Sequence, residues 1–281
     1  MIDAPVQLPT IAILGLGSMG GAILTGLLAP GVQVDRGVRV TNRDPIKAAA
    51  WAEHPVVTAF ATAEDSEANR RAVENATVVL VAVKPHMVVA LLDEIADALA
   101  PGTIVVSVAA GVTAATCEGH LPESVVVIRS MPNTPAVVGR AVTGLSAGTR
   151  SGADHLALVR RLFETVGEVV EVPESQLDAL STISGSGPAY VFLLIEQLVA
   201  AAVAKGFTAD QAKIMVAGTF RGAAELLAQS GDEPTELRRR VTSPGGTTER
   251  ALAVLQEADL ASLFSRATDA ALARARELAA S

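Results

Sequence analysis

Runs of apolar residues of strand length alternate with longer alanine-rich stretches in the first part of the chain. Strands that are apolar at every position are typical of a parallel sheet covered by helices on both faces. The alternation therefore predicts a doubly wound α/β domain. The predicted strands are Ile11–Leu14, Val38–Thr41, Val78–Val83, Ile104–Val108 and Val125–Ile128, and the predicted helices are Met19–Leu28, Pro45–Glu53 and Met87–Leu99.

Two more apolar runs follow, and then the strand pattern stops. We expect Val142–Ala147 and Val166–Val172 to complete the sheet on either side of a helix over Asp154–Thr165. The later stretches all have helical composition, and they are Gln176–Ile183, Pro188–Lys205, Ala209–Gln229, Pro234–Arg240 and Glu249–Leu278. The sequence thus predicts an α/β domain at residues 1–174 and an all-α domain at residues 175–281.

The predicted all-α domain has more apolar positions than one small bundle needs to bury. Two interpretations are open. The helices pack only against each other, or they exchange with a second subunit and form the core of a dimer. A Gly218-Thr-Phe-Arg-Gly222 segment has the small-residue spacing that lets two helices approach closely in either case.

Composition narrows the classes of function. Lys and Arg number 22 against 30 Asp and Glu, a net charge of −8, and this argues against a general nucleic-acid binder. Cys117 is the single cysteine, which excludes an intrachain disulfide. The most apolar stretch, Ala189–Ala204, is interrupted by Glu196 and Gln197, so no membrane span is predicted. The first ten residues lack the features of a secretory signal, and we expect a disordered lead-in and a cytoplasmic protein.

A glycine-rich motif, Gly15-Leu16-Gly17-Ser18-Met19-Gly20, follows the first predicted strand and opens a helix. In such motifs the first glycine permits a tight turn, the second lets the backbone approach a pyrophosphate, and the third lets helix and strand pack closely. Free N–H groups at the helix N-terminus attract the anion. Because further β/α units follow, the motif predicts a Rossmann-type dinucleotide-binding domain.

The end of the second predicted strand bears on the choice of cofactor. A site that prefers NAD usually has Asp or Glu there to accept from the ribose 2′-hydroxyl. This chain has Thr41-Asn42-Arg43-Asp44 instead. Arg43 can pair with a 2′-phosphate and its two predecessors can donate to it, which favours NADPH, with NADH as the second choice. The alternative is that Arg43 is a solvated turn residue and Asp44 caps the next helix.

Three further turns end strands of the predicted sheet, where ligands of open α/β sheets bind. They are Ala82-Val-Lys-Pro85, Val105-Val-Ser-Val-Ala-Ala-Gly111 and Arg129-Ser-Met-Pro-Asn-Thr-Pro135, and a purely structural role is the alternative for any one of them. Proline stiffens the first and the last of these turns. We therefore expect all three to line one cleft beside the glycine-rich motif.

Two hydroxyl-rich turns occur in the predicted all-α domain. They are Ser184-Gly-Ser-Gly-Pro188 and Thr242-Ser-Pro-Gly-Gly-Thr-Thr248, and each precedes a predicted helix. Backbone N–H groups and hydroxyls at a helix N-terminus suit a carboxylate or a phosphate. Ordinary helix capping is the alternative for either turn.

Other chemical signals are weak. The segment Gly144–Gly148 matches a nucleophile elbow, but Ser146 falls inside a predicted strand. The four histidines lack the spacing of metal ligands, and Cys117 has no cationic neighbour that would activate a thiolate. Neither a metal site nor a hydrolase is predicted.

Taken together, these motifs resemble the pyrroline-5-carboxylate reductase family, whose members catalyse the last step of proline synthesis. The resemblance spans about Thr10 to Leu278 and rests on GLGSMG, AVKP, MPNTP, SGSGPAY at Ser184–Tyr190 and SPGGTT at Ser243–Thr248. It implies an N-terminal Rossmann domain followed by a helical dimerisation domain. It also implies homodimers, which in this family often assemble into decamers of five dimers.

The resemblance also implies which residues form the sites. The cofactor-binding positions would be Leu14, Gly15, Leu16, Gly17, Ser18, Met19, Asn42, Arg43, Asn69, Ala82, Val83, Lys84, Pro85, Val108, Ala109 and Ala110. The substrate-binding positions would be Ser243, Gly245, Gly246, Thr247 and Thr248. Backbone N–H groups of that turn would hold the ring carboxylate, and Thr248 would be the catalytic residue that hydrogen-bonds the ring nitrogen. Gly231 replaces a glutamate that some members use through water, and Asp232 and Glu233 are candidate substitutes.

The implied reaction is hydride transfer from NADPH, or from NADH, to C5 of L-1-pyrroline-5-carboxylate, which gives L-proline. A protonated imine is already electrophilic, so positioning matters more than a strong acid. Related hydroxyacid dehydrogenases have a lysine on the corresponding long helix, which this chain lacks between Ser184 and Ala204. Two alternatives stay open: another NADP-dependent imine or hydroxyacid reductase on the same scaffold, and a non-catalytic NADP-binding assembly protein.

Overall fold

The computed structural model describes residues 5–280, which form ten strands and twelve α-helices joined by short turns. The strands are β1 (Val6–Leu8), β2 (Ile11–Leu14), β3 (Val32–Val34), β4 (Val38–Asn42), β5 (Val57–Ala61), β6 (Val78–Val81), β7 (Ile104–Ser107), β8 (Val126–Met131), β9 (Ala141–Ala147) and β10 (Gly167–Glu171). The helices are α1 (Ser18–Leu27), α2 (Pro45–Ala52), α3 (Ala68–Val73), α4 (Val88–Ile95), α5 (Ala114–Gly119), α6 (Ala153–Glu164), α7 (Glu174–Leu180), α8 (Gly187–Ala204), α9 (Ala209–Ser230), α10 (Pro234–Arg240), α11 (Thr247–Glu257) and α12 (Leu260–Ala280).

Eight strands form one sheet in the order β10-β9-β8-β7-β6-β2-β4-β5. Every neighbouring pair is parallel except β8 and β9, which are antiparallel. The strand order reverses at β2, which pairs with β4 on one side and β6 on the other. The crevice beyond the carboxyl end of such a strand is where open α/β sheets bind ligands. The predicted Rossmann-type domain is confirmed.

The core lies on both faces of this sheet, which explains why its central strands β2 and β6 are apolar at every position. In β6, Val78 and Leu80 pack into one hydrophobic cluster, and Val79 and Val81 pack into another on the opposite face. All four side chains are fully buried. Helices cover each face because a strand of this kind leaves no polar side to water.

Several elements differ from the sequence-based expectations. Val6–Leu8, expected to be part of a disordered lead-in, pairs with Val32–Val34 in a small parallel sheet, and residues 1–4 of that segment lie outside the described residues. Strand β5 was not predicted because its apolar and polar residues are mixed and only Val57 is buried. The predicted helix Glu249–Leu278 is two helices, since Asp259 adopts a left-handed backbone with φ of 43° between them.

The chain divides into two compact units. One reaches from the N-terminal part to Gly185 and includes the stretch that begins at Leu272, and the other is Ser186–Ala271. In the second unit α8 packs against α9, and the Tyr190 and Phe264 rings lie 6.4 Å apart between their centroids. The domain boundary that the sequence predicts at residue 174 stays a prediction.

A π-helical turn over Ser181–Gly185 joins α7 to α8, where the sequence predicted a break. With this turn the helical stretch runs from Glu174 to Ala204. It is the one stretch among the described residues that is long and apolar enough to cross a membrane, judged by length and composition alone. Core helices of other proteins meet the same criterion.

Candidate active site

The glycine-rich loop lies between β2 and α1, and two of its glycines are required by close backbone contacts. Gly15 has a φ of +99°, and a Cβ there would lie 2.9 Å from the carbonyl oxygen of Ala82. A Cβ on Gly20 would overlap the carbonyl oxygen of Gly15. Gly17 faces open space, since no described atom lies within 4 Å of a Cβ added there. The loop is thus tight on its inner side and open where an anion would approach α1.

The end of β4 holds this loop in place. Backbone N–H groups of Gly15 and Leu16 donate to the carbonyl oxygen of Thr41 at 3.2 and 3.0 Å. The side-chain amide of Asn42 donates to the carbonyl oxygen of Leu16 at 2.9 Å and accepts from the backbone N–H of Asp44 at 2.9 Å. The Thr41 hydroxyl is buried and accepts from Gly15 at 3.3 Å. Both side chains therefore shape the loop, and one N–H of the Asn42 amide stays available.

The turn after β4 agrees in part with each interpretation given in the sequence analysis: Asp44 caps a helix, and Arg43 lines a cleft. The Asp44 carboxylate accepts from the backbone N–H of Ile46 at 3.0 Å and caps α2, as the alternative expected. The Arg43 side chain is exposed and lines a large cleft instead of only facing solvent. Lys47, one turn into α2, lines the same cleft and was missed, although it follows Arg43 at a spacing that puts both near one helix end.

The cleft is about 1270 Å³ in volume and lies at the carboxyl ends of β2, β4, β6 and β7. Its walls include the residues predicted to bind the cofactor, namely Gly15, Leu16, Gly17, Ser18, Met19, Asn42, Arg43, Asn69, Ala82, Val83, Lys84, Pro85, Val108, Ala109 and Ala110. Leu14 is the exception, because its side chain is fully buried in the sheet core and only its carbonyl oxygen faces this region, where it accepts from Ala82 at 2.8 Å.

Glu94 was not predicted and also lines this cleft. Its carboxylate accepts from the Asn69 side-chain amide at 3.0 and 3.2 Å, so it fixes the position of that amide. Glu94 lies on α4, far along the chain from Asn69. A spacing argument from sequence could not have paired them.

The proline-bracketed turn after β8 contributes Thr134 and Val137 to the cleft wall. Asn133, at the centre of that turn, is buried and faces away from the cleft. Its side-chain amide donates to the carbonyl oxygen of Ser184 at 2.8 Å, and its oxygen accepts from the backbone N–H of Val142 at 2.8 Å. The asparagine therefore joins the rim of the cleft to the π-helical turn.

The two hydroxyl-rich turns have different structures. The first, Ser184–Pro188, runs from the end of the π-helical turn into α8, with Ser186 as the N-cap of that helix. The Ser184 hydroxyl donates to the carbonyl oxygen of Leu180 at 3.2 Å. The Ser184 hydroxyl is thus hydrogen-bonded within the helical stretch, and an anion site at this turn stays a prediction.

The second turn is open and precedes α11. Gly246 donates its N–H to the carbonyl oxygen of Ser243 at 3.0 Å, and Gly245 has a φ of +70°, the pattern of a type II turn with Pro244 at its second position. Gly246 is the N-cap of α11, so Thr247 and Thr248 are in the first helical turn, where N–H groups have no intrahelical acceptor. The Thr248 side chain is half-buried and makes no hydrogen bond to another described residue.

The candidate substitutes for the missing glutamate are not equivalent. Asp232 accepts from the Arg240 guanidinium at 2.6 and 3.2 Å, and is therefore held in an ion pair. Glu236 joins the same network, where hydrogen bonds from Arg239 and Arg240 lower its pKa to about 2. Glu233 is the N-cap of α10 and makes no side-chain cap there.

Cys117 and Ser146, for which the sequence predicts no catalytic role, are buried and do not line the cleft. Cys117 is fully buried on α5, and burial raises the pKa of its thiol to about 11. Ser146 is a buried residue within β9. Among residues 5–280, no group of three or more His, Cys, Asp or Glu side chains is placed to hold a metal ion.

Comparison with known proteins gives consistent results in both halves of the chain. A family model described as pyrroline-5-carboxylate reductase dimerisation matches residues 174–278. A second model, described as NADP oxidoreductase coenzyme F420-dependent, matches residues 10–111.

Relatives match over nearly the whole chain. The pyrroline-5-carboxylate reductase of Corynebacterium melassecola is 37% identical over 272 residues, which are 96% of this chain and 98% of that protein. The Mycobacterium tuberculosis pyrroline-5-carboxylate reductase is 39% identical over an alignment of 291 positions, covering 95% and 96%. A solved pyrroline-5-carboxylate reductase structure from Coxiella burnetii superposes with a TM-score of 0.88 at 38% identity, covering 95% and 97%. This chain belongs to the pyrroline-5-carboxylate reductase family.

Proposed function

We propose that this protein is an NAD(P)H-dependent pyrroline-5-carboxylate reductase, which reduces L-1-pyrroline-5-carboxylate to L-proline in the last step of proline biosynthesis. The observation that carries the proposal is the cleft at the carboxyl edge of the sheet. It gathers the glycine-rich loop, the Arg43 turn and three strand-end turns around one space. Membership of the family gives the substrate, and the cleft gives the place for the cofactor.

The cleft fits a dinucleotide in shape and in charge. Gly17 leaves the N-terminus of α1 open to a pyrophosphate, and no described side chain caps that helix. Arg43 and Lys47 provide two cations for a 2′-phosphate. Ala82 to Pro85 and Val108 to Ala110 would hold the nicotinamide end. The bound cofactor supplies the hydride.

The turn at Ser243–Thr248 is the part of the second unit that suits a small cyclic acid. Its backbone N–H groups would bind the ring carboxylate. The Thr248 hydroxyl would hydrogen-bond the ring nitrogen, holding the imine carbon in a fixed orientation. The substrate would react as the protonated imine, so that when C5 accepts the hydride the C=N π pair becomes the lone pair of nitrogen. The nitrogen keeps its proton as the secondary amine of proline, and it takes up a second proton from solvent after the transfer. This chemistry needs orientation and exclusion of water rather than a strong acid.

We further propose a domain boundary near residue 174, since the dimerisation model begins there. The exposed apolar side chains of α8, which include Phe192, Leu193 and Leu194, would be covered in a homodimer or in a decamer of five dimers. A cytoplasmic location fits an enzyme that consumes reduced nicotinamide cofactor. No nucleic-acid or membrane partner is required by this function.

The direct test is steady-state turnover of pyrroline-5-carboxylate with NADPH and NADH in parallel, followed by absorbance at the nicotinamide band. We expect oxidation of the cofactor with formation of one proline per cofactor. A panel of cyclic imines and hydroxyacids separates this activity from the other reductases of the same scaffold. Tight cofactor binding without turnover of any of them would contradict the proposal and favour an assembly protein.

Cofactor choice is tested by Arg43→Glu. The substitution replaces a cation with an anion beside the expected 2′-phosphate, so the ratio of kcat/KM for NADPH over NADH should fall by about tenfold or more. Arg36→Glu, which makes the same change of charge in the turn before β4, is the matched control. An unchanged ratio in the Arg43 variant would remove that residue from the phosphate site.

A further inference from the structure

Glu249 makes a contact within the turn assigned to the substrate carboxylate. It is the third residue of α11, and its side chain bends back over the turn. One carboxylate oxygen, Oε2, accepts from the backbone N–H of Gly245 at 2.7 Å. The side chain is otherwise exposed and has no second hydrogen-bond donor among the described residues.

The N–H groups of this turn are not equivalent. That of Gly246 is committed to the carbonyl oxygen of Ser243 and closes the turn itself. That of Gly245 is taken by an exposed side chain. Its acceptor is a carboxylate, the same chemical group that the proposed substrate carries on its ring.

We propose that Glu249 is a placeholder for the substrate carboxylate and thereby sets substrate affinity. The inference rests on the proposed function, because it takes pyrroline-5-carboxylate as the ligand of this turn. Substrate can use the Gly245 N–H only after Glu249 has left it. A bound substrate carboxylate also lies close to the displaced glutamate, and two like charges repel. Both effects raise the KM for substrate and leave the cofactor cleft unaffected.

The expected size of the effect follows from the single contact that is exchanged. An exposed hydrogen bond of this kind contributes about 0.5–1.5 kcal/mol, which corresponds to about two- to tenfold in affinity. Removal of the carboxylate should therefore lower the KM for substrate by about that factor. Binding of L-proline, which carries the same carboxylate, should tighten in parallel.

Glu249 also has a plain structural role to be distinguished, since a glutamate in the first turn of a helix stabilises its N-terminus. A purely structural residue would lower the unfolding temperature on replacement and would not improve substrate affinity. Only the placeholder role therefore predicts a decrease in the KM for substrate.

The test compares Glu249→Ala and Glu249→Gln with Glu257→Gln, which removes the same charge at the far, exposed end of α11. The glutamine variant keeps a neutral acceptor for Gly245 and guards against a folding defect. For each protein we would measure the KM for pyrroline-5-carboxylate, the KM for NADPH, the inhibition constant of L-proline and the unfolding temperature.

We expect Glu249→Ala, which removes both the occupant and its charge, to lower the KM for substrate and the inhibition constant of proline by about two- to tenfold, with the KM for NADPH as in wild type. Glu249→Gln removes the charge but still occupies the Gly245 N–H, so it should lower both constants by a smaller factor. Glu257→Gln should leave all four quantities unchanged. An equal or higher KM for substrate in folded Glu249 variants would overturn the placeholder role while the proposed function stands. Wild-type protein without turnover of pyrroline-5-carboxylate would overturn both.

Discussion

At the residue scale, the glycines of the loop between β2 and α1 differ in why they lack a side chain: Gly15 and Gly20 have no space for one, and Gly17 does. Gly15 and Gly20 lack side chains because other backbone atoms occupy the space, and Gly15 also needs its left-handed backbone. Gly17 is under no such constraint in the protein itself. Its lack of a side chain matters only if something else comes close to the backbone there. The loop is therefore built partly for the fold and partly for a ligand.

Two alanine substitutions test this distinction. Gly15→Ala places a Cβ against Ala82 in a strained conformation, and we expect a loss of about 1–3 kcal/mol in the free energy of unfolding. Gly17→Ala should leave the unfolding free energy within about 0.5 kcal/mol of wild type and weaken NADPH binding, because its methyl group projects toward the pyrophosphate. Urea unfolding and cofactor titration would measure both. Equal NADPH affinity in Gly17→Ala and wild type would contradict the placement of the pyrophosphate.

Thr248 is tested at the same scale. Thr248→Ala removes the hydroxyl proposed to contact the ring nitrogen, and kcat/KM should fall by about 10- to 10³-fold, the range for one positioned polar contact. Thr248→Ser keeps the hydroxyl and should retain most of the activity. Wild-type kinetics in the alanine variant would exclude Thr248 from the reaction.

At the scale of elements, a cluster of charges fixes α7 to the sheet. The Arg129 side chain on β8 is nearly buried, with 8% exposed, and pairs with Glu174 at 2.9 Å and Asp178 at 3.8 Å. The same Glu174 oxygen accepts from the backbone N–H of Ala114 at 2.7 Å, at the start of α5. One carboxylate thus joins a strand and two helices.

Removing that carboxylate should be costly. Glu174→Ala leaves the Arg129 charge buried with only its weaker partner, and we expect a loss of about 1–3 kcal/mol, reduced from the fully buried case because Glu174 is a third exposed. Glu171→Ala breaks the exposed pair with Arg160 and should cost at most about 1 kcal/mol. Denaturant unfolding of the two variants decides the matter, and equal losses would show that burial of Arg129 is unimportant.

The success of prediction also varied by element. The central strands β2 and β6 were predictable because both of their faces are buried, so every position is apolar. The break at Asp259 was not, because a single left-handed residue between two good helical sequences leaves no pattern. The contacts of Asn69 with Glu94 and of Gly245 with Glu249 depend on tertiary position and local bending. The sequence motifs therefore predicted which motif residues line the cleft, and they did not predict the contacts that Glu94 and Glu249 make with them.

At the scale of the whole molecule, the second unit leaves many large apolar side chains exposed. Phe192, Leu193 and Leu194 on α8 and Ile214 on α9 are each about half exposed or more. Monomeric proteins rarely leave such a patch uncovered. Because a dimerisation model matches residues 174–278, we expect a second copy of this chain to cover these apolar side chains.

This assembly can be tested without detergent. We expect sedimentation to give a dimer or a larger multiple, and Leu194→Glu, which adds a charge to the apolar face of α8, to lower the mass or the solubility. Glu257→Gln again serves as a change outside this face. A wild-type monomer in buffer, or a protein recovered only with detergent, would contradict the proposed homo-oligomer.

The buried position of Cys117 has a consequence for how this cysteine responds to oxidants. Peroxide attacks the thiolate form, and this sulfur is both enclosed by the core and kept protonated by its raised pKa. Sulfenic acid therefore forms only when the core opens. Oxidation of Cys117 should therefore report opening of the core, and activity should persist in air without added thiol reductant.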